Sequence, residues 1–131
     1  MIALDTNVLV RYLLRDDREQ FTRASRAIEH AIERGAGCLL TSIVLCELVW
    51  VLEACAGAAK PDICRLLREL LMTSGMNFEH RDCVARALDR FDQGKGDFSD
   101  CLIGETALRL HAQHTVTFDK ALQGTPGFAM L

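Results

Sequence analysis

Short unbroken apolar runs alternate along this chain with longer stretches in which apolar residues recur every three or four positions. Ile2 to Leu4 reads as a strand ending at Asp5, and Asn7 to Leu14 as a helix. Asp17-x-x-Gln20 has the form of a capping box, opening a helix with Phe21, Ala24, Ala27, Ile28, Ala31 and Ile32 on its apolar face. Gly35 and Gly37 stop that helix, Cys38-Leu39-Leu40 makes a second strand, and Ser42 can cap a helix running to about Cys55. Lys60-Pro61 starts another helix, turning Ile63, Leu66, Leu67, Leu70 and Leu71 inward. Asn77 to Glu79 is a brief strand, followed by a helix through Val84, Leu88 and Phe91 that ends at Gly94. Asp97 can cap a helix with Leu102, Ile103, Ala107 and Leu110 on one side. Thr115 to Phe118 and Phe128 to Met130 close the series as strands. Alternating strand and helix predicts an α/β fold: a three-layer α/β/α sandwich around a central, mostly parallel sheet of about 4–5 strands.

At 131 residues the chain fits one domain, 1–131, with no repeat, linker or low-complexity segment. Half the residues are apolar and a quarter charged, a globular composition. The stretch from Cys38 to Ala59 nearly reaches the length of a membrane span. Glu47 and Glu53 lie inside it, and a carboxylate at mid-bilayer costs about 2.5–3.5 kcal/mol, so no membrane span is expected. The N-terminus has neither the basic region nor the apolar run of a signal peptide. Six cysteines without a Cys-x-x-Cys pair point to buried free thiols in a reducing cytoplasm rather than to a disulfide framework or a zinc site.

The informative residues are acids in costly places. Asp5 and Asp119 each end a strand, the edge where parallel sheets gather ligands. Taken singly, each reads as a helix cap. Glu47 stands among Ile43, Val44, Leu45, Cys46, Leu48, Val49, Trp50, Val51 and Leu52, in a helix apolar all round and therefore expected to be buried. No Lys or Arg lies between Gly37 and Ala59, so this carboxylate needs a distant cation, a shifted pKa or a metal. Asp97 and Asp100 share the first turn of one helix, where a capping pair is the plain reading. Together the five suit hard divalent cations that prefer oxygen ligands. Thr6 and Asn7 follow Asp5 and can orient a carboxylate or a metal-bound water. His111 and His114 have no third ligand nearby and read as a solvated helix end.

In these segments the chain resembles the PIN-domain ribonucleases, and among them the VapC-type toxins of prokaryotic toxin–antitoxin pairs. Leu4-Asp5-Thr6-Asn7-Val8-Leu9 is similar to the family's first motif, and Thr41-Ser42 through Cys46-Glu47-Leu48 to the second. Asp97-Phe98-Ser99-Asp100-Cys101-Leu102-Ile103 is similar to the third, and Thr117-Phe118-Asp119 to the last. Gly104-Glu105 departs from the pattern, because relatives often carry small residues such as alanine there. The resemblance implies endonucleolytic cleavage of RNA by a water activated on one or two Mg²⁺ or Mn²⁺ ions, leaving a 3′-hydroxyl and a 5′-phosphate. It makes Asp5, Asp100 and Asp119 ligands, with Glu47 and Asp97 acting directly or through water, supported by Thr6, Asn7 and Thr117. It also implies structured RNA with an accessible loop as substrate, a homodimer, and a cognate antitoxin protein. Trp50 and the leucine-rich helix after Pro61 are the candidates for self-contact. Two alternatives stand beside it. A haloacid-dehalogenase-like Mg-dependent phosphatase would need an Asp at position 7, which is Asn. The other is a non-catalytic PIN-like binding module.

Taken alone, the net charge of −3 argues against nucleic acid. Setting aside the five candidate acids leaves 13 acidic against 15 basic residues, a remainder of +2, and the objection falls.

Overall fold

Strand and helix alternate in the computed structural model, which describes residues 1–131, in the order that the apolar pattern predicts. The chain forms two units, Met1–Glu79 and His80–Leu131. The first holds β1 (Ile2–Ala3), α1 (Thr6–Leu14), α2 (Arg18–Glu33), β2 (Cys38–Leu40), α3 (Ser42–Ala54), α4 (Lys60–Met72) and β3 (Met76–Phe78). Its strands are parallel in the order β1-β2-β3, with Ile2 opposite Cys38 and Leu40 opposite Phe78. The middle strand is the most enclosed: Cys38 and Leu40 are fully buried. At Gly37 the backbone is left-handed, and a Cβ there would stand 2.9 Å from the Gly75 carbonyl oxygen, so only glycine fits the entry to β2.

The second unit holds α5 (Arg81–Gln93), α6 (Phe98–Arg109), β4 (Thr115–Thr117), a 3₁₀ turn (Lys120–Leu122) and β5 (Phe128–Met130). β4 and β5 pair in parallel, Thr115 opposite Phe128. Phe91 on α5 meets the Phe98 ring of α6 edge to face, at 6.0 Å between centroids. The five strands match the expected number, and within each unit they pair in parallel. They hydrogen-bond as a sheet of three and a sheet of two rather than as one continuous sheet. Strands of two or three residues offer few ladder bonds to extend a sheet.

Three expectations change. The core face of α6 is Phe98, Cys101, Leu102 and Glu105, the helical spacing of three and four, while Ile103 and Leu110 are exposed. A glutamate can stand on that face because α5 sends two cations to it. Arg86 Nε lies 3.0 Å from Glu105 Oε2, and Arg90 Nε bonds Oε1. One residue earlier, a Cβ at Gly104 would lie 2.7 Å from the Phe128 ring, so the missing side chain lets β5 close on α6. Gly104 and Glu105, at which the resemblance leads one to expect small residues such as alanine, thus each have a partner in this unit that suits them.

The second change is on α3. Leu45, Leu48, Val49 and Leu52 face inward, but Ile43 is 72 % exposed, Trp50 63 %, and Glu47 is exposed as well. Being apolar all round does not bury a helix all round. Third, of the six free thiols Cys38, Cys64, Cys83 and Cys101 are buried, Cys46 is half-buried and Cys55 is exposed. Burial pushes the Cys38, Cys46 and Cys83 thiols up from their ordinary range. Asp17 caps α2 as expected, accepting from Gln20 N at 2.9 Å, while the Gln20 side chain accepts from Arg11 Nε instead of closing the box. No helix is long and apolar enough to cross a membrane.

Two outcomes follow from this packing. Glu105→Ala leaves the Arg90 guanidinium without its carboxylate and should cost about 1–3 kcal/mol in urea unfolding; the half-exposed Arg86, which keeps its pair with Asp82, holds the loss below that of a fully buried pair. A loss under a few tenths would show that the triad contributes no stability. A thiol reagent at neutral pH should modify Cys55 fast and the four buried thiols only on unfolding, as counted by mass spectrometry.

Candidate functional site

The parallel strands of the Met1–Glu79 unit deliver polar residues to their carboxyl ends. Asp5 follows Leu4 at the end of β1, is exposed, and caps α1 by accepting from Thr6 N at 2.8 Å. Thr6 is 7 % exposed, and its hydroxyl donates to Glu47 Oε2 at 2.6 Å. This bond joins the start of α1 to the middle of α3 across 41 residues of sequence. Glu47 is thus exposed to water and held by a hydroxyl donor, and the distant cation expected for a buried glutamate is not needed.

The start of α3 is fixed by two acceptors. Thr41, rather than Ser42, is the cap and accepts from Val44 N at 3.4 Å. Ser42 N donates to Glu79 Oε2 at 2.8 Å, so the acid after β3 satisfies the end of the helix that carries Glu47. Sequence reading passed over Glu79, and its strand-end position, shared with Asp5 and Asp119, is the signal that could have found it. Asn7 makes no bond to either acid and lines a cavity beside Arg11.

In the His80–Leu131 unit, Asp97 holds the cap position of α6 but its side chain makes no capping bond. Asp100, in the first turn, is half-buried. Burial pushes its carboxyl up from the usual range, a hydrogen bond to the Asp97 backbone opposes this, and the charges of Asp97 and Asp119 push it further up. Asp119, after β4, accepts from Ala121 N at 2.9 Å, and Thr117 Oγ1 accepts from Asp119 N at 3.0 Å. None of the three carboxylates forms an ion pair with Lys or Arg. His111 has a left-handed backbone just after α6 and serves as a helix end.

Asp5, Glu47 and Asp119 share one feature. Each is anchored through one oxygen by a hydrogen bond and leaves the other uncommitted. Such oxygens are hard, pre-oriented donors that fit Mg²⁺ or Mn²⁺. In neither unit do three or more His, Cys, Asp or Glu side chains converge so as to hold a metal by themselves. An ion would complete its shell with water, as Mg²⁺ commonly does.

Since burial and the charges of Asp97 and Asp119 all disfavour the ionised Asp100 carboxylate, the isosteric Asp100→Asn should raise metal-free stability by about 0.5–1 kcal/mol. Urea unfolding in a chelator checks this, and a destabilised variant would show that the carboxylate is instead a favourable structural acceptor.

No curated protein matches the chain. A family model does, that of the PIN domain, and the match runs over residues 2–127. It spans both units and all the acids above, and with nearly the whole length aligned, this chain belongs to the PIN domain family.

Proposed function

We propose that this member of a nuclease family is a metal-dependent endoribonuclease, and the toxin of a toxin–antitoxin pair. The observation that carries the reading is the half-buried Asp100, whose carboxyl is pushed up by burial and by the charges of Asp97 and Asp119, in a trio of acids with no protein cation to neutralise them. Folding tolerates such repulsion where function supplies the missing positive charge. Glu105 is the contrast, an acid in the same unit that does have its arginines.

On this reading Asp5, Glu47, Asp97, Asp100 and Asp119 hold one or two Mg²⁺ or Mn²⁺ ions, directly or through water. When bound, the metal lowers the pKa of an attacking water and neutralises charge on the scissile phosphate. The chain's own residues do the positioning. Thr6 holds one Glu47 oxygen and the Thr6 amide one Asp5 oxygen, so the free oxygens keep fixed directions without a rotamer search. Thr117 and Ala121 do the same for Asp119. The free thiols suit a cytoplasmic enzyme. A homodimer and a cognate antitoxin belong to the same proposal, with Ile43 and Trp50 on the outer face of α3 as the apolar surface available for contact.

Purified protein should cleave a stem-loop RNA in Mg²⁺ or Mn²⁺ and stop in a chelator. Asp5→Asn and Asp100→Asn should each lower the rate at least 100-fold, or about 2.7 kcal/mol in barrier. Thr6→Val, which frees the Glu47 side chain, should cost roughly 10-fold. Divalent metal at about 100 times its Kd should stabilise the wild type by about 2.7 kcal/mol, and Asp100→Asn much less. Undiminished cleavage by Asp5→Asn would remove the site assignment. Turnover of a phosphate monoester without RNA cleavage would favour the phosphatase.

A further inference from the structure

Five arginines on α1, α2 and the turn between them, namely Arg11, Arg15, Arg18, Arg23 and Arg26, are not explained by the acidic site. A surface cavity of about 570 Å³ lies between the two helices and is lined by Asn7, Arg11, Gln20 and Arg23 among others, with no acidic side chain in its wall. A second cavity of about 520 Å³ is lined by Arg18, Arg23 and Arg26 against a single acid, Glu19. Arg23 lines both, so the two cavities adjoin at one residue.

The arginines are prepared differently. Arg11 is set in place: its Nε donates to Gln20 at 2.7 Å, and its Nη1 pairs with Asp16 at 2.7 Å. That pairing holds the Asp16 carboxyl below its usual range. Arg15 lies over the Phe21 ring, 4.9 Å from its centroid. Arg23 and Arg26 have no ion pair, and three positions apart on a helix they are neighbours, about 5–6 Å between Cβ atoms. Unpaired guanidinium forks are geometric matches for phosphate oxygens. The wall of the first cavity includes Asn7, two residues beyond Asp5, and the lining of the second lies wholly on α2.

We propose that the adjoining cavities between α1 and α2 and along α2 form a phosphate track, in which Arg23 and Arg26 seat the backbone of the RNA strand next to Asp5. This rests on the nuclease reading, since it makes the track the path of the substrate. It reads no base: guanidinium–phosphate contacts fix register and add affinity without sequence information. The track contributes positive charge on one face of a chain whose total is −3.

The test is binding without turnover. A fluorescein-labelled stem-loop RNA is titrated by anisotropy in a chelator, between about 50 and 200 mM salt, where counterion release is measured. Arg23→Gln and Arg26→Gln should each weaken binding roughly three- to tenfold, and each should reduce the slope of log affinity against log salt by about one. Arg34→Gln removes the same charge from the end of α2, outside both cavities, and should bind like the wild type. Arg23→Lys, which keeps the charge, should retain the slope and so separates lost contact from lost fold. Wild-type affinity and slope in the double variant Arg23→Gln/Arg26→Gln would overturn the track, as would an equal loss in Arg34→Gln. So would RNA binding left intact while the double variant fails to bind an acidic partner protein, which would make this a protein-docking face. Wild-type protein that binds RNA through these arginines but cleaves none in Mn²⁺ supports the track and overturns the nuclease.

Discussion

An ionised carboxylate loses several kcal/mol of hydration when it leaves water, and the acids of this chain differ in how that loss is met. Glu105 stands on the core face of α6 and is met by two arginines from α5. Asp5, Glu47 and Asp119 stay exposed, each tied by one hydrogen bond. Asp100 lies between these cases. It is half-buried, repelled by two neighbouring acids and without a cation. Neutralised, tethered and frustrated carboxylates thus occur within 131 residues, and only the last two kinds belong to the candidate site.

The backbone makes these arrangements possible. Parallel strands release the chain at the same edge of their sheet, and a helix begins within a few residues of each release. Residues at that edge meet the unsatisfied amides of helix starts. Asp5 accepts such an amide on α1, Thr41 and Glu79 do so on α3, and Asp119 on the 3₁₀ turn. Capping takes one oxygen of such a carboxylate, and the two-oxygen geometry leaves the other free for a ligand. The single Thr6–Glu47 bond then couples two helix positions that the sequence separates by 41 residues.

Much of this was legible beforehand. Element order, parallel pairing and strand number follow from apolar runs alternating with helical spacing, because each run is long enough for one element only. The acidic set was legible because carboxylates beside apolar strands are rare without a reason. What misled was inference from one helix at a time. The apolar sequence of α3 implied a buried Glu47, yet Ile43 and Trp50 share its exposed face. On α6 the pattern favoured Ile103 and Leu110, while the real inward face passes through Glu105. Rotation of a helix about its axis is decided by what packs against it, here Arg86 and Arg90 from α5 and Phe128 from β5, all outside α6.

Sequence alone therefore determined the class of fold, the order of its elements and the identity of the unusual acids, since these depend on local periodicity and residue chemistry. Tertiary structure decided which acids are neutralised and which oxygens stay free. It also decided that Gly104 makes room for Phe128, that Glu105 meets two arginines, and that Arg23 lines two cavities. Those outcomes depend on long-range neighbours, and charge, exposure and cavity shape come into existence only when distant segments meet.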